Sequence, residues 1–169
     1  MFIEKFSSLE STSDYVKTHL STLPEIGCII ATEQRGGRGQ FHRPWISPPG
    51  GIYMTLFFPW PKDVLPPREM SLDAARLVKK ILSSYGMIVD LKWPNDLLVA
   101  GQKIGGILTE IVDHKIIIGI GLNINIPKEA LQGIDQPVTS LLIETGKYHE
   151  LPPLIELITA TLLSELPIK

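Results

Sequence analysis

The chain has 169 residues, 44% of them hydrophobic and 20% charged, with a net charge of −2. That balance excludes a disordered chain, fits one domain over residues 1–169 that needs no disulfide or metal to hold its core, and leaves no basic excess for gripping nucleic acid. No apolar run reaches a membrane span, the opening Met1-Phe2-Ile3-Glu4-Lys5 lacks the apolar stretch of a secretory signal, and the lone Cys28 forbids an internal disulfide and suits a reducing cytoplasm.

In chain order, Ser11-Thr12-Ser13-Asp14 supplies N-cap chemistry for a first helix over residues 15–20. Residues 27–32 read as a short buried strand, with Cys28 as a structural thiol in its apolar run. Residues 33–51 hold five glycines, three prolines and three arginines, too broken for regular structure and too long for a turn, so a functional or mobile loop is expected. A second strand spans 52–58. Met70, Ala74, Leu77, Val78, Ile81, Leu82 and Tyr85 repeat at helical spacing, and Gly86 offers a C-terminal stop. Residues 88–92 form a strand, 97–99 and 104–112 a hairpin across Ala100-Gly101-Gln102, and 115–124 a further strand after Asp113-His114. Leu154, Ile155, Ile158, Leu162 and Leu163 give residues 152–166 one apolar helical face. Hairpin-like strands with few helices between them favour an α+β fold, with a largely antiparallel mixed sheet and flanking helices, over a doubly wound one.

Three clusters carry chemistry. In Gly36-Gly37-Arg38-Gly39-Gln40-Phe41-His42-Arg43-Pro44-Trp45 the glycines let backbone N–H groups approach an anion. Arg38 and Arg43 can pair with phosphate or carboxylate, and Trp45 can cover an apolar ligand or stack on a base. No Gly-Lys-Ser/Thr closes this segment, so it is not a Walker-type loop, and alone it also fits a solvated flexible loop. Lys92-Trp93-Pro94-Asn95-Asp96 follows a strand whose polar side carries Asp90 and Lys92. Asn95 and Asp96 can bond their own backbone in a turn. Lys92 can hold a carboxylate or phosphate, or be a surface lysine at a strand end. Lys103-Ile104-Gly105-Gly106-Ile107-Leu108-Thr109-Glu110 and Gly119-Ile120-Gly121-Leu122-Asn123-Ile124-Asn125 put glycines in neighbouring strands, which marks close packing or one wall of a pocket.

Glu10-Ser11-Thr12, the Gly-Arg-Gly loop ending in Arg43-Pro44-Trp45, Lys92 to Asp96, Lys103 to Leu108 with Glu110, and Gly119 to Asn123 occur in order over about residues 9–125. In this the chain resembles biotin protein ligases. The resemblance implies a fold similar to that of class II aminoacyl-tRNA synthetases and biotin synthetases. It also implies a catalytic domain with neither a DNA-binding helix-turn-helix before it nor the small β-barrel that commonly follows. The implied reaction has two steps, activation of biotin by ATP with Mg²⁺ to biotinyl-5′-AMP, then transfer to a lysine of a biotin carboxyl carrier protein. Carried over position by position, Lys92 and Arg38 are the catalytic cations. Ser11, Thr12, Ser13, Gln34, Arg38, Gly39, Gln40 and Lys92 bind biotin. Arg38, Arg43, Trp45, Asn95, Lys103, Gly121 and Asn123 bind ATP and the adenylate, Asn123 near the phosphates and metal. No side chain is assigned as a metal ligand.

No nucleic-acid or membrane partner is expected, and an uncovered sheet edge or the final strand is expected to support a homodimer. The loop arginines are expected to gain partners only when phosphate arrives. The chain departs from the family pattern at Ser13, where Asn commonly stands, at Gln40, where a second Arg is usual, and at His42, typically Gly or Asn. The rival readings are a lipoate ligase or octanoyltransferase of the same fold, which does not typically carry Lys-Trp-Pro-Asn-Asp, and a biotin-sensing repressor fragment. The slight acidity and the lack of a recognition-helix module count against the second.

Overall fold

A computed structural model describes residues 1–60 and 66–166. Strand β1 (Phe2–Leu9) leads through helix α1 (Thr12–His19) into β2 (Gly27–Gln34), and the two strands pair in parallel. After the glycine-rich segment come β3 (Ile52–Pro59), α2 (Pro67–Ser83), β4 (Val89–Lys92), β5 (Asp96–Val99), β6 (Gln102–Val112) and β7 (Lys115–Leu122), then the short α3 (Leu141–Thr145) and α4 (Leu151–Glu165). The seven strands form one sheet in the order β1-β2-β3-β7-β6-β5-β4, and every neighbouring pair except β1–β2 is antiparallel. This is the expected α+β arrangement, a mixed sheet with flanking helices.

Register assigns each face. Met54, Ile120 and Ile107 lie in one cross-strand row and join the core under α2 and α4. Ile29, Phe57 and Ile117 face the other way and pack with Val16 of α1. Covered on both sides, β3 reads as a continuous apolar run rather than an alternating one. Two tight turns fix the β5–β6–β7 register. Ala100 and Gly101 have φ of 48° and 78°, Asp113 and His114 of 47° and 61°, the left-handed pairs that two-residue hairpins require.

The structure departs from the sequence reading at several elements. β1 is a strand where none was expected, because Glu4, Lys5, Ser7 and Ser8 make it polar, and as an edge strand it need not bury both faces. β2 runs to Gln34, which places that residue on the sheet rather than in the loop. Ile88 lies outside β4, and β7 stops at Leu122, two residues before the expected end. The five-residue α3, capped by the Ser140 hydroxyl on Ile143 N–H, is too short to leave a periodicity.

Candidate active site

Where β6 and β7 meet on the α1 side, the sheet is bare of side chains. Gly106 pairs with Gly121, and Gly119 continues the same face. A Cβ on Gly119 would lie 2.6 Å from Ser13 Oγ, and one on Gly121 2.6 Å from Trp45 Nε1. The glycines are therefore a floor on which the first turn of α1 and the Trp45 ring rest. Gly105 belongs to the opposite face, where a Cβ would meet Leu122 Cδ2 at 2.5 Å, so close packing explains it. The cleft above the floor has a volume of ≈ 240 Å³.

One wall is a directed chain of hydrogen bonds. Thr55, the polar residue of an otherwise apolar β3, donates to Thr12 Oγ1 at 2.8 Å, and Thr12 donates to Gln34 Oε1 at 3.1 Å. A threonine has one hydroxyl proton, so Ser13 is the donor in its 3.0 Å contact with Thr55. Gln34 Oε1 also accepts from Thr12 N–H, and its amide donates to Ser47 Oγ at 3.0 Å. Every hydroxyl in the wall thus has a fixed orientation. Ser11 caps α1 by accepting from Asp14 N–H.

The glycine-rich segment is folded down by its own backbone. Gln34 and Arg38 bridge to Ser47 and Pro44, Trp45 N–H donates to Gly37 O at 2.8 Å, and Tyr53 Oη holds Pro48 O at 2.7 Å. Two of its arginines are already paired without phosphate, contrary to expectation. Arg35 meets Glu10 at 3.0 Å, and Arg38 bonds to Asp14. Asp14 also meets Lys17 at 3.2 Å, and Lys17 meets Glu110 at 2.9 Å. Partial burial opposes ionisation of Asp14, but the bond from Arg38 and the Lys17 ammonium outweigh it and hold the carboxyl below its usual range.

The Lys92–Asp96 segment turns at a cis Trp93–Pro94 bond. Asn95 does not bond its own backbone, as the turn reading had it, but donates to Ile107 O at 2.6 Å across the sheet. Asp96 meets Lys103 at 2.8 Å, and Lys103 stands 5.1 Å from the Trp45 ring centroid. One ion pair thereby locks the Lys92–Asp96 turn, β6 and the loop together. It also separates the cations by availability. Lys103 and Arg38 have carboxylate partners, whereas Lys92 and Arg43 have none among the described residues.

Ser11, Thr12, Ser13, Gln34, Arg38, Gly39, Gln40, Arg43, Trp45, Lys92, Asn95, Lys103 and Gly121 all line this cleft. Asn123 does not. The chain leaves the sheet after Leu122, Asn123 is buried, and its amide donates to Thr139 O at 3.0 Å. Sequence reasoning overlooked Asp14, Thr55 and Gln136. Thr55 was signalled by its polarity within an apolar strand. Gln136 reaches the cleft because Lys103 N–H binds Pro137 O at 2.9 Å, a contact with no local trace.

The chain as a whole is similar to known proteins. The chain is 39% identical over 112 residues to the bifunctional ligase/repressor BirA of Bacillus spizizenii, covering 60% of this chain and 34% of that protein. It thus spans about a third of the length of such curated relatives. Among solved structures, the biotin protein ligase of Aquifex aeolicus in complex with biotin and ATP superposes with a TM-score of 0.84 at 27% identity, over 96% of this chain and 69% of that one. The biotin protein ligase of Leishmania major in complex with biotinyl-5-AMP does so at 0.77 and 30% identity, over 95% and 73%. The Biotin/lipoate A/B protein ligase family model matches residues 6–123, which takes in the floor, the wall and the Lys92 turn, and the chain belongs to that family.

Proposed function

We propose that the chain is the catalytic unit of a biotin protein ligase, which activates biotin with ATP and passes it to a lysine of a biotin carboxyl carrier protein. The observation that carries this reading is the convergence of five separated motifs on one cleft, with oriented hydroxyls on one wall and the cations Lys92 and Arg43 at another. Thr12 Oγ1 accepts one bond and donates one, which leaves a lone pair for a ureido N–H. Leu108, opposite Gly119 on the glycine face, suits an aliphatic tail, and Trp45 closes over it.

In the first step a biotin carboxylate oxygen bonds to the α-phosphorus of ATP, and the bond to pyrophosphate breaks. The carboxylate is already ionised at neutral pH, so the step needs charge neutralisation rather than a general base. Lys92 and Arg43 supply it directly, and Arg38 does so while Asp14 orients it. In the second step a neutral lysine amine attacks the acyl carbon. The amide forms, AMP leaves and the amine gives up a proton. Among the described residues no group of three or more His, Cys, Asp or Glu could hold a metal ion, and Asp96 is engaged by Lys103. Mg²⁺ would therefore come with the nucleotide's phosphates, as it commonly does, and add charge neutralisation there.

A reducing cytoplasm agrees with the buried, unpaired Cys28. A homodimer belongs to the same reading. The outer edge of β1 and residues 108–112 of β6 each lack a strand neighbour on one side among the described residues, and light scattering with ligand bound tests it. The deciding experiment incubates the chain with biotin, ATP-Mg²⁺ and a carrier domain and weighs the carrier. The expected result is the mass gain of one biotinyl group. Modification with lipoate in place of biotin, and none with biotin, would overturn the reading.

A further inference from the structure

Two large aromatic side chains stand in solvent beside the cleft. Phe41 is 84% exposed and Trp93 62%. Phe41 sits at φ 55° and His42 at φ 57°, the left-handed region that L residues rarely adopt. A phenylalanine held in that conformation at a loop tip contributes nothing to this chain's own core, so its placement calls for a different account. Between Phe41 and Trp93 lies a second hollow, a groove of ≈ 350 Å³. Arg68, near the start of α2, forms one side, with its guanidinium carbon 5.2 Å from the Trp93 ring centroid and no carboxylate partner among the described residues. On its floor Thr109 Oγ1 is buried without a hydrogen-bond partner.

The groove is continuous with the cleft, because Gln40, Phe41, Trp93 and Pro94 line both. Its composition differs from the cleft's. The cleft carries the oriented hydroxyls and the cations Lys92 and Arg43, which suit small anionic substrates, whereas the groove offers two ring faces and one cation. Exposed Trp, aromatic and Arg side chains gathered at one place are the composition of protein-interface centres. We propose that this groove docks the acceptor protein. It takes the segment next to the acceptor lysine, with an apolar side chain between Phe41 and Trp93 and a carboxylate on Arg68. The lysine amine then enters the cleft over Gln40 and Pro94. This inference rests on the ligase reading above and names the surface that its second step uses.

The test separates the two steps in the whole chain. Pyrophosphate release without carrier reads adenylation, transfer to hydroxylamine reads the reactivity of the intermediate, and biotinylation of the carrier reads docking. Arg68→Glu should raise the KM for the carrier about ten-fold or more, while adenylation and hydroxylamine transfer stay at the parent values. Added salt should raise the carrier KM of the parent but not that of Arg68→Ala, a surface truncation whose folding is verified by its adenylation rate. An unmoved carrier KM in Arg68→Glu overturns the docking alone. So does an altered mass by light scattering with carrier KM unchanged, which would make the groove a contact between copies of this chain. No biotin-dependent pyrophosphate release from the parent would overturn the ligase reading, and the docking with it.

Discussion

Lys92 and Lys103 line one cleft with different freedom. Lys103 is held by Asp96 and lies near the Trp45 ring, which ties the loop to β6, while Lys92 has no carboxylate partner among the described residues. Lys92→Ala should lower biotin-dependent pyrophosphate release by roughly 10²–10³-fold, the usual effect of removing one preorganised charge-stabilising group. Because Lys92 is exposed at a strand end, the melting temperature should stay near the parent's, and the two measurements together distinguish a catalytic loss from an unfolded protein. At Gly121 the expectation is reversed in kind. A Cβ there would meet Trp45 at 2.6 Å, so Gly121→Ala must push the indole outward. Stability should fall by about 1–3 kcal/mol as in other overpacked sites, and the KM for biotin should rise because the ring no longer closes the cleft. A variant with unchanged KM would mean that Trp45 covers no part of the substrate.

The α1–loop connection is an element-scale device, two segments joined by Arg38–Asp14, Arg35–Glu10 and the backbone bonds from Arg35 N–H to Leu9 O and Gly36 N–H to Glu10 O. Its sensitivity to acid follows from sign. Asp14 is depressed in the folded chain, so its contribution is present above the ordinary carboxylate value and is lost as pH falls through the folded one. Protection of the Gly39 and Trp45 amides, corrected for intrinsic exchange, should therefore drop below about pH 4. Asp14→Asn should show the lowered protection already at neutral pH and lose that dependence. Helices α2 and α4 and the hairpins were legible in the sequence, because a 3.6-residue period and paired turn residues are local properties. β1 was not, since an edge strand can be polar and still pair. The hydroxyl wall was half legible. Ser11, Thr12, Ser13 and Gln34 could be carried over from a resemblance, Thr55 shows in the sequence only as a polar residue in an apolar strand, and Asp14 enters through a contact across the fold. Asn123 lies outside the cleft lining because its amide is captured by Thr139, which is placed by a segment without periodicity.

Across the whole molecule, β3 and β7 are central, covered on both faces, and the cleft lies where glycines interrupt that cover. Precision in the cleft thus depends on the part of the sheet least able to move, while the parts that meet other molecules, Phe41 and Trp93, are at its rim. Cys28 lies between β1 and β3, opposite Ile3 and Leu56, and is 0% exposed. Burial pushes its thiol up to about 12, only partly offset by a backbone bond. The sole sulfhydryl of this chain is in effect a sealed clock. A disulfide reagent in solution can reach it only when the sheet parts, so the rate of colour development measures how often the molecule opens. Biotin alone should slow that clock in proportion to 1 + [L]/Kd when opening is rapid relative to labelling. A titration read at one buried sulfur would then yield ligand affinity with no turnover and no acceptor present. A clock that ran at the same speed with saturating ligand would show that the opening which frees Cys28 leaves the cleft intact.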